Sequence, residues 1–176
     1  IVSQENILSI LTTFNPWWQN GVVPKAFVKE FHRSSYYTCR KSLLSDLRRI
    51  VVMSGARRTG KTTIMYQLIH DLLEQGVKPQ NILFFTFDHP LIRMAGMDQV
   101  LNIYKNNISD DAHFYMFVDE VQFDKDWTNY LKMAYDMNPD MRSVATGSAS
   151  AAIEDDVRES GAGRWTVIKV TTLSFY

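Results

Sequence analysis

The sequence predicts an α/β fold in which a parallel sheet lies between layers of helices. Short apolar runs alternate with amphipathic helical patterns along most of the 176 residues. Two of these runs, residues 50–53 and 82–87, lack a polar face, which is typical of strands covered on both sides. A glycine-rich turn joins the first run to a helical segment that ends at Gly76. This order of strand, turn and helix is typical of a phosphate-binding unit.

The glycine-rich turn, residues 54–63, reads SGARRTGKTT and contains the pattern G-x-x-x-x-G-K-[ST]. Glycines in such a turn let backbone amides approach a polyphosphate, and the first turn of the helix adds free N–H groups. Lys61 is predicted to reach the β- and γ-phosphates, Thr62 to bind Mg²⁺, and Thr63 to lie near the α-phosphate. The other residues predicted to cradle phosphate are Gly55, Ala56, Arg57, Arg58, Thr59 and Gly60.

The region before the first strand predicts a helical extension, residues 1–46, packed on a core of residues 47–176. Residues 4–14 have apolar positions at helical spacing, and residues 35–47 form a second helical pattern. The second pattern has an apolar face of Tyr36, Tyr37, Leu43, Leu44 and Leu47, and a basic side of Arg40, Lys41, Arg48 and Arg49. That basic side is either solvated or in contact with nucleic acid.

Two adjacent tryptophans, Trp17 and Trp18, follow the Asn15-Pro16 break that ends the first helix. Exposed aromatic rings at this position would suit stacking on nucleic-acid bases. We favour the alternative that one of the two rings packs beneath the first helix.

The remaining elements follow the same alternation of strand and helix. Further helices are predicted over residues 98–107, 124–136 and 151–159, and further strands over residues 113–118, 143–148 and 165–170. The last strand alternates polar and apolar residues, as an edge strand does.

An acidic pair, Asp119 and Glu120, ends the strand that begins near residue 113. An apolar strand that ends in two acidic residues matches the Walker B pattern. In P-loop NTPases the Asp of this pattern helps to hold Mg²⁺. An adjacent Glu in ATPases generally polarises the attacking water, which is general-base chemistry. One strand is inserted between the loop strand and the Asp119 strand, which indicates the ASCE division of these proteins.

Two more polar features come from the last third of the chain. The strand over residues 143–148 ends in small polar side chains, and Thr146 or Ser148 would lie beside the γ-phosphate in an ASCE protein. Alternatively, these residues form an ordinary strand-to-helix turn. Arg164 follows a glycine-rich break and is predicted either to stabilise transition-state charge as an arginine finger or to be an ordinary surface residue.

Composition excludes several classes of protein. A hydrophobic content of 45% with 12% aromatic residues argues against disorder. No apolar run approaches the ~20 residues of a membrane span, and no signal peptide is recognisable. The single cysteine, Cys39, excludes an internal disulfide and favours a cytoplasmic location.

Charge is distributed unevenly although the formal net charge is zero. Residues 1–80 carry 11 Lys and Arg against 5 Asp and Glu, and residues 81–176 carry 8 against 14. The basic half contains the phosphate loop and the acidic half contains Asp119 and Glu120. The asymmetry would also suit a homo-oligomer in which opposite faces meet, although ordinary solvated surfaces explain it as well.

The order of several motifs resembles one family of proteins. The motifs are GARRTGKT, GVKPQNI, FVDEVQFDKDW, TGSAS and GAGRW. They are similar to those of the bacterial and archaeal AAA-like P-loop ATPases that usually carry a second, poorly characterised C-terminal domain. The resemblance implies a three-layer fold with five parallel strands in the order 5-1-4-3-2, and binding and hydrolysis of ATP with Mg²⁺. It also implies a C-terminal domain as partner, which we expect to be absent from this sequence.

The function expected from these features is ATP hydrolysis, with Lys61, Glu120 and Arg164 as catalytic residues and with Thr62 and Asp119 on Mg²⁺. Thr146 is expected beside the nucleotide. Two alternatives remain open at this stage. The module could be an ATP-dependent switch with negligible turnover, or an ATPase stimulated by DNA or RNA. A small-molecule kinase is less favoured, because the acidic pair suits water activation.

Overall fold

Five parallel strands in the order β2-β3-β4-β1-β5 form the centre of the computed structural model, which describes residues 2–161 and 163–172. The strands are β1 (Ile50–Ser54), β2 (Ile82–Thr86), β3 (Tyr115–Asp119), β4 (Arg142–Gly147) and β5 (Trp165–Lys169). This is the predicted order 5-1-4-3-2. Every residue of β1 is buried, because helices cover both faces of the sheet. Residues 173–176 of the predicted core lie outside the described part.

Eight helices surround the sheet in the described part of the chain. They are α1 (Gln4–Phe14), α2 (Trp17–Asn20), α3 (Ser34–Leu43), α4 (Lys61–Glu74), α5 (Pro90–Ala95), α6 (Met97–Asn107), α7 (Trp127–Met137) and α8 (Ser150–Glu159). None of these helices has the length and apolar character needed to cross a bilayer.

Helices α2 and α5 are absent from the prediction, and α3 is shorter than predicted. In the sequence, Pro90 indicates only the end of the strand over residues 82–87. Proline fits the first turn of a helix, where no intrahelical N–H partner is needed, and the His89 ring caps this turn by accepting from the Leu91 N–H at 3.1 Å. Helix α3 ends at Leu43 rather than at residue 47, and Leu47 is 62% exposed instead of lying in the core. The Ser45 hydroxyl accepts from the Leu47 N–H in a local turn that replaces the helix.

The N-terminal helices cover the edge strand β2, which has a neighbouring strand on one side only. Asn15, which is fully buried, accepts from the Phe84 N–H at 2.7 Å and donates to the Phe84 carbonyl at 2.8 Å. The indole N–H groups of Trp17 and Trp18 both donate to the carbonyl of Ile82. These side chains replace the missing neighbouring strand, so the edge is not open to pairing with another chain. Both tryptophans are therefore buried and do not offer rings for base stacking.

Arg48 also differs from the prediction, which placed it on the basic side of a helix. It lies after α3 and donates to the carbonyls of Tyr135, Asn138 and Met141 at 2.9–3.2 Å. Its guanidinium carbon lies 3.6 Å from the centre of the Tyr135 ring. Arg48 thus joins the end of α7 to the entry of β1, instead of facing solvent or nucleic acid.

Candidate nucleotide site

The carboxyl ends of β1, β3 and β4 lie at the same edge of the sheet, as parallel strands require. The register pairs Ser54 of β1 with Gly147 of β4, and Thr86 of β2 with Asp119 of β3. The glycine-rich loop and the acidic pair therefore meet at this edge although they are far apart in sequence. Ligands of open α/β sheets bind at this end of the strands.

The phosphate loop leaves β1 at Gly55 and enters α4 at Lys61. Gly60 has a φ of 90° and Arg58 a φ of 62°, so the loop turns through two left-handed positions. Such turns direct successive backbone N–H groups toward one concave side, which is how a nest for anions forms. Ala56, Arg57 and Arg58 are exposed at the mouth of the loop.

Lys61 is folded into the loop and is only 4% exposed. Its ammonium donates to the carbonyls of Gly55 and Ala56, both at 2.8 Å, and lies 3.3 Å from the Thr59 hydroxyl. Burial lowers the pKa of the Lys61 ammonium, and the nearby Glu120 and Asp119 carboxylates oppose that shift. A polyphosphate in the loop would offer this buried cation anionic partners in place of neutral carbonyls.

Asp119 is a buried carboxylate, 7% exposed, whose hydrogen-bond partners are neutral hydroxyls. It accepts from Thr62 at 3.0 Å and from Thr146, and the Thr146 hydroxyl in turn accepts from the Glu120 N–H at 3.0 Å. Burial raises the pKa of Asp119, and the hydrogen bond from Thr146 lowers it. Within the described residues no ion pair compensates this carboxylate.

The donor set around Asp119 fits Mg²⁺ better than a transition metal. In the described part of the chain, no group of three or more His, Cys, Asp and Glu side chains could hold a metal ion. Mg²⁺ is usually held by one or two protein oxygens together with phosphate oxygens and waters. Thr62 and Asp119 supply two such oxygens beside the phosphate loop.

Glu120 has a left-handed backbone conformation, with φ 57° and ψ 52°, at the end of β3. Its carboxylate accepts from the Ser148 hydroxyl at 2.8 and 3.0 Å and from the Gln122 amide at 2.5 Å. The carboxylate is therefore tied to the end of β4. A recess of about 360 Å³ lies beside it, lined among others by Arg57, Thr62, Tyr66, Asp119 and Glu120.

A second recess of about 460 Å³ opens on the other side of the loop, between α4 and the N-terminal extension. It is lined by Lys29, Phe31, Arg33, Arg58, Thr59, Gly60, Thr63, Ile64, Gln67 and Thr172. The Gln67 amide donates to the carbonyls of Lys29 and Phe31, both at 2.9 Å, and thereby holds the extension against α4. Arg33 donates to the carbonyls of Thr59 and Thr171 and so joins the loop to the chain that leaves β5.

Arg164 lies at the amino-terminal ends of the strands, whereas the phosphate loop lies at their carboxyl ends. Its carbonyl accepts from the N–H of Ile50 at the start of β1, whereas the loop follows the end of that five-residue strand. At a rise of about 3.3 Å per residue the two points are roughly 16 Å apart. The Arg164 guanidinium pairs with Asp136, with Nε 3.1 Å from Oδ1. This position does not support a role for Arg164 as an arginine finger within the same chain.

These features have a counterpart in a known family. The family model described as "AAA domain" matches residues 47–176. The chain belongs to this AAA family. A P-loop nucleotide-binding module is thus established at the level of the family, and the matched residues begin just ahead of β1.

The curated relatives of this AAA domain are uncharacterised. An uncharacterised protein of Haemophilus influenzae is 32% identical over 132 residues, which cover 72% of this chain and 32% of that protein. Another, from Methanocaldococcus jannaschii, is 24% identical over 119 residues, which cover 65% of this chain and 24% of the relative. The AAA domain therefore spans about a third or less of the length of these relatives.

Solved structures share the fold at low sequence identity. The Aeropyrum pernix ORC1 protein, solved in complex with DNA, superposes with a TM-score of 0.60 at 12% identity, covering 91% of this chain and 49% of that one. C. elegans PCH-2 gives a TM-score of 0.52 at 14% identity, with coverages of 92% and 47%. Saccharomyces cerevisiae RIF2 gives 0.51 at 11% identity, with coverages of 93% and 64%. At these identities the similarity extends to the fold of the AAA domain alone.

Two side chains that shape the site of the AAA domain were not predicted. Gln67 joins the N-terminal extension to α4, and Gln122 bonds to Glu120. Gln67 was hidden in an amphipathic helical pattern, where a buried amide gives no distinct signal. Gln122 lies two residues after Glu120 in FVDEVQFDKDW, a motif in which only the acidic pair has a chemical role that the pattern predicts.

Proposed function

We propose that this AAA domain binds Mg·ATP and hydrolyses the bond between its β- and γ-phosphates by in-line attack of water. One observation carries the proposal: a continuous hydrogen-bonded chain runs from Thr62 through Asp119 and Thr146 to the Glu120 amide, directly beside the phosphate loop. This chain brings the first turn of α4, a buried carboxylate and a second carboxylate to the place where a γ-phosphate would lie.

Phosphate binding is assigned to the loop and to the first turn of α4. The backbone amides of Gly55, Ala56, Arg57, Arg58, Thr59 and Gly60 would face the phosphates, together with the positive end of the helix dipole. Lys61 would exchange its bonds to the loop carbonyls for bonds to the β- and γ-phosphates. Thr63, which lines the larger recess, would contact the α-phosphate.

The larger recess is proposed as the nucleoside pocket. Its position beside Gly60 and Thr63 allows a base and ribose to enter while the phosphates occupy the loop. Phe31 is 68% exposed and offers a ring for stacking. None of its lining residues in the described part is acidic, so guanine would find no carboxylate for its N1 and N2 donors. This lining favours adenine.

Hydrolysis is assigned to the acidic pair. Thr62 and Asp119 would hold Mg²⁺, which when bound neutralises charge on the phosphates. Glu120 would orient the attacking water and accept its proton, and Lys61 would stabilise charge that develops on the γ-phosphate. Through its two hydrogen bonds, Thr146 would hold the Asp119 carboxylate and the Glu120 backbone at fixed positions relative to each other.

The experiment that tests these roles compares two substitutions. We expect Lys61→Ala to abolish nucleotide binding, measured by calorimetry, because the buried cation is lost. We expect Glu120→Gln to retain binding and to lower the steady-state release of phosphate by about 10²- to 10⁴-fold, the usual contribution of a general base. An equal loss of binding in both variants would contradict the assigned roles.

A switch that binds ATP without turnover shares the same loop, and phosphate release distinguishes the two functions. Binding of ATP with phosphate release no faster than that of Glu120→Gln would favour the switch. Stimulation by DNA or RNA that falls with increasing salt would indicate a nucleic-acid-dependent ATPase. Burial of Trp17 and Trp18 and the internal bonds of Arg48 argue against this alternative, although Lys41 of the basic side is exposed. A homo-oligomer remains a prediction.

A further inference from the structure

Gln122, Ser148 and Glu120 form a closed ring of hydrogen bonds at the carboxyl edge of the sheet. The Gln122 amide nitrogen donates to Glu120 Oε2 at 2.5 Å, and its amide oxygen accepts from the Ser148 N–H at 3.2 Å. The Ser148 hydroxyl donates to the Glu120 carboxylate, at 2.8 Å from Oε2 and 3.0 Å from Oε1. Each of the three residues contacts both of the others.

The local backbone explains why a glutamine closes this ring. Glu120 adopts its left-handed conformation and the chain then makes a 3₁₀ turn, Val121–Phe123, which returns Gln122 to the side of the carboxylate. A primary amide has a donor and an acceptor on one planar group, so it serves a carboxylate and an N–H at once. Neither an ionised acid nor an aliphatic side chain has both.

Gly147 lets α8 pack closely against the end of β4, beside the ring. A Cβ at this position would overlap the side chain of Ile153, whereas its distance of 3.4 Å from the amide oxygen of Gln122 would be an ordinary contact. The glycine between Thr146 and Ser148 is therefore required by the packing of α8.

The ring leaves the carboxylate able to act on water. A carboxylate has about four acceptor positions, and the ring uses one proton from Ser148 and one from Gln122. A free glutamate at the surface samples many rotamers, whereas a base must be held close to the productive geometry. Two donors from different segments restrict the Glu120 side chain to one orientation.

We propose that Gln122 is a positioning residue for hydrolysis: it fixes the Glu120 carboxylate and the Ser148 hydroxyl in the orientation that receives the attacking water. This inference rests on the proposed function, because the reaction being positioned is the hydrolysis of ATP. It assigns to Gln122 no contact with the nucleotide.

The test measures kcat and KM for ATP in Gln122→Ala and in the isosteric Gln122→Glu. We expect kcat to fall about 10- to 100-fold in both, the cost of a misplaced catalytic group, with KM changed less than about threefold. Gln122→Glu keeps the shape but loses the donor. Gln80→Ala is the matched control, because Gln80 also donates one amide bond, to the Trp18 carbonyl at 2.9 Å, at the far end of β2.

A double-mutant cycle separates positioning from general damage. In a Glu120→Gln background, Gln122→Ala should lower kcat no further, because the base that it positions is already absent. An unchanged or raised kcat in Gln122→Ala, or an equal further fall in the Glu120→Gln background, would overturn the inference.

Failure of the proposed function has a different signature. It fails if the wild-type chain releases phosphate no faster than Glu120→Gln. In that case amide hydrogen exchange still tests whether the hydrogen-bonded ring exists, because exchange does not depend on turnover. Exchange at the Ser148 N–H should be faster in Gln122→Ala than in wild type and unchanged in Gln80→Ala. Equal exchange in wild type and Gln122→Ala would overturn the ring itself.

Discussion

At the scale of single residues, Gly55 shows how closely the phosphate loop is packed. It is buried, and a Cβ there would overlap the carbonyl oxygen of Val170, the residue that follows β5. The Val170 N–H donates to the Ser54 carbonyl at 2.8 Å, so this contact holds the loop and the end of the last strand together. A glycine is needed here for the close approach of two backbones, in addition to the approach of phosphate.

Gly55→Ala should therefore affect both stability and binding. We expect a loss of about 1–3 kcal/mol in the free energy of unfolding, the usual cost of overpacking, and a weaker affinity for ATP because the loop must move. Gly76→Ala is the control. It strains a position with φ +92° at the far end of α4 and should change stability without changing ATP affinity. Equal ATP affinities in the two variants, measured by calorimetry, would contradict this account.

At the scale of elements, the N-terminal extension acts as a cover for the edge strand β2. Its bonds come from side chains rather than from a strand: Asn15 pairs with both backbone groups of Phe84, and two indoles converge on the Ile82 carbonyl. Helix α1 packs against β2 and α6, which places Asn15 at the edge. The extension also forms one wall of the larger recess, through Phe31 and Arg33. It thus belongs to both the sheet and the candidate site.

Replacing Asn15 with leucine tests the cover. The side chain keeps its branched shape, but the N–H and C=O of Phe84 lose their partners in a buried position, which costs about 1–3 kcal/mol for each group. We expect a total loss of about 2–6 kcal/mol in urea unfolding. Asn20→Ala, at an exposed position of α2, should leave stability within about 0.5 kcal/mol. A stability of Asn15→Leu equal to that of wild type would show that the edge does not need these bonds.

At the scale of the whole molecule, we expect Cys39 to report on global opening. It is fully buried in α3, and burial raises the pKa of its thiol from the ordinary 9.0 to about 12. Because the folded pKa is the higher one, the stability that comes from the neutral thiol is complete below pH 9 and is lost as pH rises toward 12. The folded thiol is thus both protected and un-ionised between pH 7 and 9, so a thiol reagent reacts only after opening.

Labelling of Cys39 at pH 8 should consequently respond to nucleotide. A ligand at 100 times its Kd stabilises the folded chain by about 2.7 kcal/mol and should slow labelling about 100-fold. The Lys61→Ala variant should show no such slowing. Labelling that is fast in the folded protein, or insensitive to Mg·ATP while calorimetry shows binding, would disprove the link between Cys39 and global opening.

Much of the fold and of the site was predictable because the signals are local in the chain. Glycine spacing, the apolar run before it and the helical period after it lie within about 30 residues, and they indicated the phosphate loop and α4 together. The acidic pair was recognisable because it directly follows an apolar strand. Helix α5 was not predicted because a proline can follow the end of a strand or occupy the first turn of a helix. Only the residues after the proline distinguish these two cases.

The sequence by itself determined which residues form the phosphate loop and the acidic pair, since each of these motifs is a short continuous segment. It also determined the strand order, through the family that its motifs resemble. The tertiary structure decided the partners that are distant in sequence. Gln122 meets Ser148 26 residues later, and Asn15 meets Phe84 69 residues later. It also decided that Arg164 lies at the far edge of the sheet and that Arg48 is internal. A polar side chain forms its bonds with whichever group packing brings near, and packing is a property of the whole chain.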